Sequence, residues 1–150
     1  MLELVIMTIK DRMNAEIAAW NDEMPGNNLP FVEDTEVGYR DVAVGARAYP
    51  ALMIALNGGD WSDPYFSAYD LDMVLVVKEE DEEALNRIGA GLRDCLENVI
   101  RSDYTIGGLL LDSGEFRVND VKLTGFYLIN LTFNATMSLG STEAMGGEDA

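Results

Sequence analysis

The chain has 150 residues, a formal net charge of −17 and no histidine. Its length fits one domain, and 48% hydrophobic with 9% aromatic residues is enough for one core, which argues against disorder of the whole chain. A surface this negative repels phosphate backbones and anionic lipid, so tight nucleic-acid or membrane binding through a basic face is disfavoured.

The N-terminus begins Met-Leu-Glu, without a basic leader ahead of an apolar run, and no secretory signal is expected. Leu2, Val5, Ile6, Ile9, Met13, Ile17 and Trp20 then recur at three- and four-residue steps. That spacing predicts an amphipathic helix with Lys10, Asp11, Asn14 and Asn21 on its other face. Glu23-Met24-Pro25-Gly26 ends it, because proline and glycine break the pattern. Between Asn27 and Arg47 the pattern weakens. Phe31-Val32 and Val37 to Val44 are candidate short strands, with Gly38 and Gly45 as bends.

Tyr49 to Leu56 reads as a strand, with Pro50 marking its start or an edge position. Asn57-Gly58-Gly59-Asp60-Trp61-Ser62-Asp63-Pro64 is a loop by turn chemistry, and it carries an aromatic cluster of Trp61, Tyr65 and Phe66. Tyr69 to Val77 is a second strand, polar on one face at its start and apolar on both faces towards its end. Lys10, Arg12, Asp70 and Asp72 interrupt the longest apolar stretches, so none reaches the roughly 18 residues of a membrane span.

Asp81 is placed to cap a second helix, with Glu82 and Glu83 favouring the positive end of its dipole. Leu85, Ile88, Leu92, Leu96 and Val99 form its apolar stripe. Cys95 lies beside that stripe and reads as a small core hydrophobe. Gly89 and Gly91 lower helix propensity, a cost that a close approach to the sheet would offset. Three strands follow: Ile106 to Leu111, Phe116 to Leu123 after an Asp112-Ser113-Gly114-Glu115 turn, and Phe126 to Met137. In the last, Tyr127, Ile129, Leu131, Phe133, Ala135 and Met137 alternate with Asn130, Thr132, Asn134 and Thr136, giving one buried and one polar face. Small and polar residues 138–150 read as a flexible tail behind a single domain of residues 1–137. Short turns between successive strands imply antiparallel pairing. The expected fold is α+β, a mainly antiparallel sheet with two helices packed on one face.

The residue inventory narrows the chemistry. Without histidine there is no hydrolase triad, no imidazole base and no ordinary transition-metal site. The single Cys95 has neither a disulfide partner nor a histidine to activate it, which fits a reducing compartment. Neither phosphate-cradling glycine motif occurs, since Gly89-Ala90-Gly91 lies within the second helix. Asp60, Asp63, Asp70 and Asp72 offer oxygen ligands for Ca²⁺ or Mg²⁺, but their spacing matches no EF-hand loop. Among 27 acidic residues almost any pair can be nominated as a carboxylate dyad, so none is singled out. The Glu79-Glu80-Asp81-Glu82-Glu83 run reads as a solvated helix start. The expectation is a protein without catalytic residues, cofactor or metal. Trp61, Tyr65 and Phe66 are its candidate partner contacts, and folding over the core is the other reading of those aromatics.

The order of these elements, the chain length and the closing Gly125-Phe126-Tyr127-Leu128-Ile129-Asn130-Leu131-Thr132-Phe133-Asn134-Ala135-Thr136-Met137 strand resemble the tail terminator (tail completion, or minor tail) proteins of long-tailed bacteriophages. The resemblance covers roughly residues 1–137, apart from Asn27 to Arg47, which matches nothing in that layout. It implies a non-enzymatic virion component, assembled in the host cytoplasm. Its partners would be further copies of itself in a hexameric ring, the tail tube protein and the head–tail connector proteins. DNA would pass through the bore without specific binding. A neck or head-completion protein, an acidic DNA-mimic inhibitor and an enzyme working with carboxylates alone are the competing expectations.

Overall fold

The structure, a computed structural model, describes residues 2–38, 47–60, 66–103, 105–106 and 112–138, with side chains at 3–38, 47–55, 71–103, 105–106 and 117–132. Two helices, α1 (Leu2–Glu23) and α2 (Glu82–Ser102), accompany five strands: β1 (Asp34–Val37), β2 (Ala51–Asp60), β3 (Phe66–Lys78), β4 (Asp112–Leu123) and β5 (Phe126–Ser138). The strands form one sheet in the order β1-β2-β3-β5-β4. β1 runs parallel to β2, and every other neighbouring pair is antiparallel. The class is α+β.

β3 occupies the centre for a reason its sequence shows. Met73 to Val77 are all buried, a run that only a strand covered on both faces accommodates. The register places Leu52, Leu75 and Ile129 side by side, and Ile54, Met73 and Leu131 beside them. These residues share one core cluster with Val5, Ile6, Ile9, Met13 and Ile17 of α1 and with Leu85, Leu92, Leu96 and Val99 of α2. Each large aliphatic side chain removed from water there contributes about 1.5–3 kcal/mol. The alternate positions Ala51, Met53, Val74, Val76 and Leu128 form a second cluster, against which Tyr49 and Phe126 pack.

α1 ends as its sequence predicts. Met24 N donates to Trp20 O at 2.9 Å as the last helical bond, and Gly26 takes φ +98°, where a side chain is strained. Its polar face departs from expectation. Asn14 and Asn21 turn inward and are half-buried, because each side chain bonds an extended segment beside the helix. Val32 N donates to Asn14 Oδ1 at 2.8 Å and Leu29 N to Asn21 Oδ1 at 2.7 Å. The side-chain amides return bonds to the carbonyls of Val32 at 3.4 Å and Leu29 at 3.1 Å. Residues 31 and 32 are therefore no strand: the polar backbone of Val32 is satisfied by asparagine instead of by a ladder.

Other expected boundaries shift. β2 starts at Ala51, directly after the cis Tyr49–Pro50 bond, and runs on to Asp60. The expected loop at Asn57 to Asp60 is thus strand, with a register slip between Leu56 and Gly59 that leaves Asn57 and Gly58 without a register partner on β3. The expected Asp112 to Glu115 turn likewise lies inside β4, where the ladder slips between Ser113 and Phe116. Ile106 sits in a turn at φ +49° and not in a strand, while 107–111 lie outside the described residues. Gly38 bends the chain after β1 at φ +89°, whereas Gly45 lies outside the described residues. β5 extends one residue further than expected, to Ser138, and the expected tail at 139–150 lies outside the described residues.

Candidate functional site

Of the three aromatics singled out as partner contacts, Trp61 and Tyr65 lie outside the described residues, as does the Phe66 side chain. The Phe66 backbone is not loop but the first residue of β3, paired with Ser138 of β5. Of the four candidate cation ligands only Asp72 has a side chain among the described residues. Asp63 lies outside them, and the backbones of Asp60 and Asp70 stand on β2 and β3. Asp72 is half-buried in β3, opposite Thr132. Among the described residues no group of three or more histidine, cysteine, aspartate or glutamate side chains is arranged for a metal ion.

The titratable groups in the interior hold the fold together. Cys95 is buried in α2, and desolvation, followed by the negative charge of Glu16 and Asp94, pushes its thiol up to about 11. Such a thiol is protonated at neutral pH and a poor nucleophile. Nearly two turns earlier, Gly89 lets the Tyr127 ring lie directly on the helix. The Tyr127 hydroxyl donates to Asp120 Oδ2 at 2.6 Å, and Arg93 Nε stands 3.5 Å from Asp120 Oδ1. Burial and then the Asp120 hydrogen bond raise the Tyr127 phenol to about 12. This network ties α2 to β4 and β5. Gly91 instead accommodates Leu29 from the segment held by α1, so only one of the two helical glycines admits the sheet.

Asp34 is the buried charged residue of the described core. Its carboxylate accepts from Thr35 N at 3.0 Å and Arg47 N at 3.1 Å, with Arg47 Nη2 at 3.7 Å. Together with the bond from Glu33 N to Pro50 O, it fixes the approach of β1 to β2. Lys78 Nζ lies 5.5 Å from the Tyr49 ring centre and 5.9 Å from that of Phe126, over two rings that meet edge to face.

What the sheet leaves exposed is its two edges. Among the described residues no strand pairs with the outer side of β1 or of β4. Leu4 and Met7 are exposed on α1, Phe31 on the segment before β1, Val37 on β1, and Val121 and Leu123 on β4. A groove between α1 and β1 is lined by Glu3, Ile6, Met7, Thr35, Glu36 and Val37. β4 presents Arg117 and Lys122, the latter reaching Glu82 of α2 at 3.4 Å. These edge residues are the features that sequence reasoning missed. Leu4 and Met7 fall outside the main helical stripe at a three-residue spacing, and that was the available signal. Nothing local marked β4 as an outer strand.

No helix among the described residues is long and apolar enough to cross a membrane. No family model matches the chain, and no curated protein matches it either.

Proposed function

We propose that this chain is a virion structural protein of the tail-terminator type. It acts by assembly and not by catalysis, and it needs neither cofactor nor metal. Copies associate into a hexameric ring that caps the tail tube and joins it to the head-side connector proteins, in the tail or neck of the virion. The observation that carries the reading is a sheet open at both described edges, each edge bearing exposed apolar side chains. Open edges of this kind template association, and closure into a ring removes them. The charge of −17 supports the same reading. A wall rich in carboxylates lets DNA slide, whereas lysine and arginine would release counterions and grip its phosphates.

The same charge favours one other class, an acidic module that imitates DNA and occupies a basic partner. Mass in solution separates the two. A ring of uniform mass, seen as an annulus by electron microscopy and binding the ends of isolated tail tubes, is the expected result. A stable monomer that binds basic proteins instead points to the mimic. A ring that binds head-completion vertices but not tail tubes makes the chain a neck component.

A further inference from the structure

We draw no further inference here: the strongest candidate, the partly exposed apolar patch of Val121, Leu123 and Phe126 on the face of the sheet away from the helices, carries nothing because nothing in the structure shows what covers it.

Discussion

A methyl group at position 89 would fall 2.6 Å from Cγ of Tyr127 and 2.7 Å from its Cδ2. That ring cannot swing aside freely, because its hydroxyl is tied to Asp120 at 2.6 Å. Gly89→Ala should therefore lose stability by about 1–3 kcal/mol from overpacking, outweighing the roughly 1 kcal/mol that alanine gains in helix propensity. Thermal or urea denaturation checks this, and an unchanged or raised midpoint would show that the ring yields. Alkaline pH probes the same region. Cys95 rises from 9.0 to about 11 and Tyr127 from 10.0 to about 12, so the folded state holds both protons more tightly than the unfolded chain. Their contribution is fully present below pH 9.0 and is lost as pH climbs through about 11 and 12. Melting temperatures across this range should fall more steeply for the unaltered protein than for Tyr127→Phe, and parallel curves would refute the assignment. The burial of Cys95 and the use of Gly89 were legible in the helical stripe of α2. The phenol–carboxylate pair was not, because Asp120 and Tyr127 meet only once β4 and β5 have paired.

At the scale of elements, α1 does more than present an apolar stripe. Asn14 and Asn21, two helical turns apart, bond the backbone at Val32 and Leu29 much as a neighbouring strand would. Leu29 and Val32 are thereby seated in the core with their polar backbone satisfied. Asn14→Ala and Asn21→Ala should each cost about 1–3 kcal/mol, because a side chain is lost while the backbone groups stay partly buried. Amide exchange at Leu29 and Val32 should accelerate accordingly, and exchange left unchanged in both variants would show that the bonds do not hold the segment. Asparagine on the polar side of a helix gives no local sign of such a role. The two misread turns have a related cause. Asn57-Gly58-Gly59-Asp60 and Asp112-Ser113-Gly114-Glu115 have turn composition, yet β3 and β5 supply ladder partners that hold both segments extended. A register slip accommodates the poor strand formers, and tertiary pairing overrides local preference.

For the whole molecule, assembly and folding should respond separately to substitution. Under the proposed ring, Trp61→Ala and Phe66→Ala are expected to weaken stacking of the ring on the tail tube more than they lower the melting temperature of the monomer. Aromatic anchors at interfaces commonly carry a large share of binding energy. Equal losses in tube binding and in thermal stability would make these aromatics core residues. The measurement is co-sedimentation with purified tubes beside calorimetry on the same samples. β1 was the element least legible at this scale. Only four residues long, it pairs in parallel with β2 and is fixed by Asp34 and by the Glu33–Pro50 bond, contacts spanning 13 to 17 residues of chain.

The sequence by itself determined the α+β class, both helices and the burial of β3 on both faces towards its end. It did so because amphipathic spacing and a doubly buried apolar run are local consequences of the helical and strand repeats. Tertiary structure alone decided the strand order, the inward turn of Asn14 and Asn21, and which two strands lie outermost. Each of these depends on partners far away in the chain: a strand's hydrogen-bonding edges are the same whether it ends at the centre of a sheet or at its rim. Val37, Val121 and Leu123 take their exposed positions from that order. An exposed valine or leucine carries no mark in a sequence until the fold has left it without a neighbour.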